Sequence, residues 1–365
     1  MFRPENNVNN GEGSMSIAGR DWPSDGLEHV DRCPVCGSSD RVQLYTGLTD
    51  RVFECAPGHW DLYQCKGCES GYLDPRPTAS TIHLAYETYY THQLPLENSE
   101  ERASGLRRLV RSLTNGYRNN RYGSNLEPAN PLGRYVLGVL PHYRKRIDRR
   151  MRYLPPTRAG GRLLDVGFGS GAFLLDAQRA GWEVSGADPD PVSVDNGGHL
   201  KLDVRQGGIE AFLDFPGTFD VITLSHVIEH VHDPVDTLKT AYNLLKPGGW
   251  LYVETPNMKA YGHDHFREHW RGLEIPRHLV IFNWESMALT LKNVGFSEIQ
   301  NLSIPSPYVN LAGKSRAIRE GRDPYRFARK TLGDRFNGVR VSLPFLSDGR
   351  KTEFVALYAW KDFSS

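Results

Sequence analysis

From Arg162 onward, short runs of β-branched and other apolar residues alternate with longer segments of helical character. The runs Arg162 to Val166, Glu183 to Asp188, Leu202 to Gln206, Phe219 to Ser225, Trp250 to Thr255, Glu298 to Ile304 and Glu353 to Trp360 predict seven strands. Strands alternating with helices are the pattern of an α/β fold with a parallel sheet. Residues 306–350, between the last two runs, are rich in Arg and predict an inserted helical element, because so long a structureless loop is unusual in a compact domain.

Ahead of Pro155-Pro156 the pattern changes. Leu106, Leu109, Val110 and Leu113 recur at i, i+3, i+4 and i+7 beside Arg107, Arg108 and Arg111, and a second stretch carries Arg144, Lys145, Arg146, Arg149 and Arg150. These predict two amphipathic helices with basic faces. The faces read either as solvated surface or as docking for an anionic partner: a phosphorylated substrate, a carrier protein or a membrane surface. Residues 1–28 are rich in Asn, Gly, Ser and Asp without an apolar period and predict a disordered tail.

A chain of 365 residues, 39% hydrophobic and 24% charged, accommodates one α/β domain and a small accessory module. Lys and Arg number 44 against 43 acids, so no global field draws the chain to nucleic acid or membrane, and no stable nucleic-acid partner is expected. No apolar run approaches the roughly 18 to 20 residues that span a bilayer, and the N-terminus lacks a signal-peptide core. A soluble cytoplasmic protein is the expectation.

Four of the five cysteines form two C-x-x-C pairs, Cys33-Pro34-Val35-Cys36 and Cys65-Lys66-Gly67-Cys68, each on a Gly-containing turn. Two such knuckles supply the tetrahedral four-sulfur set that zinc prefers, with His59 as an alternative ligand and Cys55 left over. A module this small has too little core to fold well alone, so the metal would supply stability. The expected organisation is therefore a tail (1–28), a zinc ribbon (29–80), a basic helical linker or lid (81–155), an α/β core (156–305), a helical insertion (306–350) and the last core strand (351–365).

The first strand of the core ends in Leu164-Asp165-Val166-Gly167-Phe168-Gly169-Ser170-Gly171 and leads into the helical run Ala172-Phe173-Leu174-Leu175. Glycines there let the backbone approach a ligand, and the helix presents its N-terminal amides. Asp165 stands where a pyrophosphate site has no need of an acid and suits a cationic amino-acid ligand; Asp188, ending the second strand, is placed like an acid that binds ribose hydroxyls. These residues, with Phe219-Asp220-Val221 and Leu245-Lys246-Pro247-Gly248-Gly249, resemble class I S-adenosylmethionine-dependent methyltransferases. The resemblance covers about residues 155 to 305. It implies a Rossmann-like seven-stranded methyltransferase sheet. It also implies that Asp165, Gly167, Gly169 and Gly171 line the methionine portion of the cofactor and Asp188 the ribose, with Gly208 and Ile209 at the adenine and Ser225 at the end of strand four.

Strand four runs into Ser225-His226-Val227-Ile228-Glu229-His230-Val231-His232-Asp233-Pro234, which puts His226, Glu229 and His230 at the ligand crevice and on one face of a helix starting there. This segment resembles the ubiquinone-pathway O-methyltransferases, in which an acid three residues before the Glu-His pair joins it in binding a divalent metal. Here His226 takes that place, which would favour an imidazole-friendly ion such as Zn²⁺; the alternative is that Glu229 and His230 only cap and orient the helix. Downstream lie His263, Asp264, His265 and His269, read as a solvated or substrate-contacting surface or as metal ligands, and then Pro276-Arg277-His278-Leu279. His278 is the preferred general base, with His226 and His230 as further catalytic candidates and a buried structural role as the alternative.

A zinc ribbon followed by Leu73-Asp74-Pro75-Arg76-Pro77 and this core resembles bacterial enzymes of sugar, capsule and natural-product pathways. The first choice is O-methylation of a sugar or small polar metabolite, the acceptor being free, glycan-borne, phosphorylated or carrier-bound. Sugar C-methylation is disfavoured because such enzymes usually add a further C-terminal domain. An rRNA methyltransferase is disfavoured by the neutral charge. A module that retains the cofactor without turnover is the non-enzymatic alternative. Oligomeric state is left open.

Overall fold

A computed structural model describes residues 21–86, 105–156, 160–302, 304, 307–342 and 350–363. Along the chain lie β1 (Leu27–Glu28), β2 (Arg41–Leu48), β3 (Trp60–Cys65), β4 (Gly71–Leu73) and β5 (Arg76–Pro77), then α1 (Gly105–Tyr122), α2 (Gly133–Gly138) and α3 (Pro141–Arg150). The next elements are β6 (Arg162–Val166), α4 (Ala172–Arg179), β7 (Glu183–Asp188), α5 (Pro191–His199), β8 (Asp203–Gln206), β9 (Phe219–Ser225), α6 (Pro234–Leu244) and β10 (Leu245–Pro256). The chain finishes with α7 (Tyr261–Phe266), β11 (Val280–Ile281), α8 (Trp284–Val294), β12 (Glu298–Asn301), α9 (Tyr308–Arg319), α10 (Leu332–Ser342) and β13 (Phe354–Trp360). Among the described residues no helix is long and apolar enough to cross a membrane.

The seven expected runs form one sheet in the order β12-β13-β10-β9-β6-β7-β8. Neighbours from β10 to β8 are parallel, while β13 runs antiparallel to both β10 and β12. The inner strands bury Leu163, Leu164, Val221, Ile222, Leu224, Leu251 and Val253, the near-continuous apolar runs expected of strands covered on both faces. From β6 the chain winds outward through β7 and β8, then returns to the other side at β9. That reversal opens a crevice at the carboxyl ends of β6 and β9. Helix starts are fixed locally: Asp190 accepts from the amides of Val192 and Ser193 ahead of α5, Asp233 accepts from Asp236 at α6, and Asn283 and Ser286 form a capping box at α8.

The ordered chain begins earlier than the expected tail boundary. Trp22 is 5% exposed and meets Trp60 edge-on with centroids 5.1 Å apart, and β1 pairs with β5, so residues 21–28 belong to the ribbon. Residues 1–20 lie outside the described residues. The ribbon is not separate from the core either. Its strands β2, β3 and β4 are joined by β11 from the α/β core, with Val280 opposite Tyr72 and Ile281 opposite Gly71. Trp60, Leu62 and Tyr72 accordingly share one apolar cluster with Leu164, Leu251 and Phe282.

The basic linker also packs differently from its sequence pattern. Leu106, Leu109 and Val110 are exposed, and α1 instead buries Asn115, Gly116, Tyr117, Arg118 and Tyr122. Close approach decides this: a Cβ at Gly116 would meet the carbonyl oxygen of Asn130 at 1.8 Å, so only that half of α1 can lie against the segment leading to α2. Tyr117 and Tyr122 both donate to Asp148 Oδ1 (2.7 and 2.6 Å), and with Met151 and Leu154 they cover the face of the sheet beside α4.

A buried ion pair ties ribbon to core. Asp50 accepts from the amides of Phe53, Cys55 and Ala56, each at 3.1 Å, and is gripped by Arg277, Nη1 to Oδ2 at 3.0 Å and Nη2 to Oδ1 at 2.5 Å. Both side chains are essentially without solvent contact. Arg277 Nη1 also donates to the carbonyl of Ala85 (2.8 Å), and Phe53 lies under its guanidinium. Removing one partner of such a pair strands the other charge in a low-dielectric site. Asp50→Ala is therefore expected to lower the unfolding free energy by about 3–5 kcal/mol in chemical denaturation.

Candidate functional site

The crevice is floored by the turn after β6. Gly167, Gly169 and Gly171 have φ of 70°, 55° and 72°, and at Gly167 a Cβ would also strike Val227 Cγ2 at 2.5 Å. A side chain there is excluded twice over. The Gly169 amide donates to Asp188 Oδ2 (2.8 Å) and the Asp190 amide to Asp188 Oδ1 (3.0 Å), which turns this carboxylate toward the loop at the end of β7. Burial pushes the Asp188 carboxyl up, partly offset by those two amides. Asp165 is fully buried; its Oδ1 accepts from Thr223 Oγ1 (2.8 Å) and from Arg152 Nη1, while Oδ2 has no hydrogen-bond partner among the described residues.

After β8, Ile209 is buried in the main core, and the amide of Gly208 donates to Glu210 Oε1 at 2.7 Å.

Beside the turn lies a cavity of about 340 Å³ lined by Arg146, Arg149, Arg150, Arg152, Phe173, Ser225, His226 and Glu254. Glu254, buried on β10, accepts from Arg149 Nε at 3.0 Å (Oε1) and 3.2 Å (Oε2), from Arg149 Nη2, from Tyr252 OH and from His226 Nε2 at 3.2 Å. Burial works against ionising it, yet His226 and Arg149 hold its carboxyl below the ordinary range. The same guanidinium lies over the Phe354 ring. Arg146, Arg149 and Arg150 belong to the stretch read as a solvated or docking face; Arg149, with Arg152 just beyond it, also anchors α3 and the turn after it to the acids of the sheet. The sequence carried a signal in Glu254, a charged residue inside the apolar run of strand five.

Behind His226 an alternating row of imidazoles and carboxylates runs into the protein. His226 has a positive φ of 57°, with Nδ1 3.3 Å from Glu229 Oε1. Burial favours neutral His226, but Glu229 and Glu254 outweigh it and raise its pKa to about 9. Glu229, fully buried, also accepts from Thr255 Oγ1 (2.9 Å) and is pulled down to about 2 against its burial, chiefly by His226 and then by His230 and His278. His278 Nε2 stands 4.0 Å from Glu229 Oε1 and 3.8 Å from Glu274 Oε2, and its ring is 4.8 Å from that of His230. Burial depresses His278 to about 4. His278 Nδ1 is 2.9 Å from the Gly272 carbonyl and His230 Nδ1 3.0 Å from the Arg277 carbonyl; a carbonyl only accepts, so both rings carry their proton on Nδ1. His226 thus lines the cavity. His278 and His230 stand behind Glu229.

Two donor sets converge closely enough for a metal among the described residues. One is Cys33, Cys36, Cys65 and Cys68, with Sγ separations of 3.6 Å (Cys33 to Cys68) and 3.5 Å (Cys36 to Cys65). A tetrahedron of four 2.3 Å Zn–S bonds has edges of about 3.8 Å, so the set is compatible with zinc. Both knuckles close alike: Gly37 N donates to Cys33 O and Glu69 N to Cys65 O, each at 2.9 Å. His59 is exposed and outside the set. Cys55 is buried, its Sγ 3.3 Å from the Ala85 carbonyl and 3.5 Å from Asp50 Oδ2. The other set is Glu229, His230 and His278, with His278 where the sequence suggested His226.

The remaining histidines do not gather. His263 is buried, its Nδ1–H donating to the Met258 carbonyl (2.7 Å) and its Nε2 2.9 Å from Tyr45 OH of the ribbon; His269 faces Arg51, His265 stacks on Tyr261, and Asp264 pairs with Lys351. This segment is held by Glu353, which accepts from Gly262 N and Trp270 Nε1, both at 2.8 Å.

Residues 140–301 match the family described as Methyltransferase domain. The ubiquinone biosynthesis O-methyltransferase of Nitrosospira multiformis is 35% identical over 118 residues, 30% of this chain and 47% of that protein. Its counterpart in Ruegeria pomeroyi is 40% identical over 106 residues, 27% and 42% respectively. The chain spans less than half the length of these curated relatives. Among solved structures, a SAM-dependent methyltransferase from Thermotoga maritima, possible histamine N-methyltransferase, is 18% identical over 63% of this chain and 98% of that one, with a TM-score of 0.39. A SAM-dependent methyltransferase from Archaeoglobus fulgidus is 20% identical over 62% and 99%, with a TM-score of 0.40. Sheet order, glycine turn and crevice acids define a Rossmann-like fold of the methyltransferase type. Residues 140–301, a little under half of the chain, are thus similar in sequence to a methyltransferase domain.

Burial raises the Glu353 carboxyl from 4.5 to about 7. A carboxyl raised in the folded state stabilises below its unfolded pKa and loses that contribution as pH rises through the folded value. The Tm difference between wild type and Glu353→Gln is accordingly expected to turn against wild type between pH 4.5 and about 7, then level off, in thermal melts across that range.

Proposed function

We propose that the chain transfers the methyl group of S-adenosylmethionine to an oxygen nucleophile on a small polar acceptor, a sugar or similar metabolite being the first choice. The unpartnered, buried Oδ2 of Asp165 carries the donor half of this reading. A buried carboxylate oxygen without a donor fits the ammonium end of an amino-acid ligand and does not fit a pyrophosphate. Asp188 has lone pairs left for ribose hydroxyls beyond the two amides it accepts, and Gly167 and Gly169 leave backbone open to the ligand.

When bound, S-adenosylmethionine supplies an electrophilic methyl group, so this chain's share is alignment, exclusion of water and control of one proton. Four arginines, Ser225, His226 and Glu254 surround the cavity against one apolar side chain, Phe173. That wall favours a polar acceptor. His226 is the imidazole on that wall; its two nitrogens are engaged by Glu229 and Glu254, so it meets an acceptor oxygen only in exchange for one of them, and it can act as a base only as pH approaches its pKa. Glu229 orients His226 and holds its charge.

The four thiols would hold one zinc ion with a structural role, since all four positions of the tetrahedron are protein sulfur. Glu229, His230 and His278 would hold a second divalent ion; the carbonyl-bound Nδ1–H groups leave Nε2 as the lone-pair atom on each ring, as metal-binding histidines require.

In isothermal titration, Asp188→Ala is expected to weaken S-adenosylmethionine binding roughly tenfold or more, in line with loss of a charge-assisted hydrogen bond; unchanged affinity overturns the donor site. Elemental analysis of the purified full chain is expected to find zinc, and Cys65→Ser to lose it along with several degrees of Tm.

A further inference from the structure

The cavity is more cationic than donor binding requires. Arg146, Arg149 and Arg150 stand at i, i+3 and i+4 on α3 and share one face. Arg152 follows on a turn where it and Tyr153 have φ of 47° and 53°, braced by Tyr358 OH donating to the Tyr153 carbonyl at 2.8 Å. All four arginines line the same cavity. Arg149 is paired with Glu254, Arg150 with Asp176 and Arg152 with Asp165, whereas Arg146 has no hydrogen bond or ion pair among the described residues. Glu254 is the carboxylate on that wall, and both of its oxygens are already engaged by Arg149, His226 and Tyr252.

S-Adenosylmethionine carries one carboxylate, one ammonium and one sulfonium. Its net charge is a single positive, so its arrival adds to the excess. Like charges gathered around a partly enclosed space repel more strongly than in open water. An anionic second substrate would offset the excess left by Arg146 and the bound donor.

We propose that the acceptor is a phosphorylated small molecule whose phosphoryl group is held by Arg146 and its neighbours on α3. The proposal rests on the methyl-transfer reading above and names the substrate class of that site. A phosphoryl group brings close to two negative charges and three acceptor oxygens, and guanidinium forks engage such oxygens in pairs. A carboxylate brings one charge and two oxygens, fewer than a phosphoryl group offers to Arg146 and the outer N–H groups of its neighbours. The arrangement also sets the polarity of binding: the anionic end sits against α3, and the nucleophilic oxygen faces His226 and the glycine turn.

The test is titration of the full chain, saturated with S-adenosylhomocysteine, by inorganic pyrophosphate, with acetate as the carboxylate comparator. Pyrophosphate is expected to bind the loaded protein, and acetate at least tenfold more weakly. Arg146→Ala is expected to weaken pyrophosphate roughly tenfold, as loss of a charge-assisted contact does, while Arg146→Lys restores part of it. Arg146→Ala is also expected to leave S-adenosylhomocysteine affinity within about twofold, which shows the variant folded. The proposal is overturned if pyrophosphate does not bind the loaded protein, if its affinity is indifferent to Arg146→Ala, or if acetate matches it. It is equally overturned if pyrophosphate displaces S-adenosylhomocysteine, since the arginines would then seat the donor's own carboxylate. Failure of S-adenosylhomocysteine to bind wild type sinks the methyl-transfer reading instead, and pyrophosphate titration of the unloaded chain still reports on the arginines.

Discussion

The buried pair between Arg277 and Asp50 is the contact on which the rest of this architecture turns. Its two residues are 227 positions apart, one in a ribbon loop and the other in the segment leading to β11. With the fork closed, Arg277 places its own carbonyl on His230 and the next residue, His278, beside Glu229. Leu279 and Val280 then donate to the carbonyl of Glu229, and β11 goes on to pair with β4 of the ribbon. Burying two charges is costly, and a well-packed apolar pair could replace them at no loss of stability. What a fork and its carboxylate provide is register: two parallel bonds fix the direction of the segment as well as its distance. The ribbon therefore lies in the mechanical path to the imidazoles behind the cavity, and a metal that firms the ribbon acts on that path from outside the chemistry.

The second organising device is the use of arginines from one short helix and the turn after it as partners for acids that the sheet buries. Arg149 reaches Glu254 on β10, Arg152 reaches Asp165 on β6, and Arg150 with Arg118 reaches Asp176 on α4. None of these acids has a partner of opposite charge on its own strand or helix turn strong enough to replace them; Arg179, one turn along, stands 4.0 Å from Asp176. The helix and the crevice thus require each other. Without α3 the core would hold carboxylates stripped of their arginines beside the crevice, and without those carboxylates α3 would be a run of like charges with little apolar surface to bury.

Local pattern made the seven strands, the glycine turn and the two cysteine knuckles legible in the sequence. The strands are apolar runs bounded by turns, the glycines stand where positive φ is needed, and each thiol pair lies within four residues. What escaped depends on partners distant in the chain. Arg149 and Glu254 are separated by 105 residues, and a basic helix viewed alone looks solvated. The stripe Leu106, Leu109, Val110 and Leu113 had the period of a buried face, yet the packing followed Gly116, where backbone approaches backbone. Trp22 lay in a stretch whose composition reads as disordered; its contact with Trp60, its hydrogen bonds to Gly26 and Thr81 and the pairing of β1 with β5 hold its surroundings.

The histidines show most clearly why residue type alone could not assign roles. His226 and His278 flank the same carboxylate, Glu229, and their environments drive them to opposite states. His226 lies between two carboxylates and keeps its proton to about pH 9; His278 lies deeper, where burial outweighs Glu274 and Glu229 and leaves it neutral down to about 4. The negative charge of Glu274 is already matched by Arg271, which sits at 2.5 Å, so little of it is left to hold a proton on His278. Neighbouring titratable groups pushed apart in this way divide the work of a site. The ring that is readily deprotonated cannot reach the cavity, and the ring that reaches the cavity is held charged. His226 can take up a proton only after losing its own, which places any demand for alkaline conditions on His226 and not on His278.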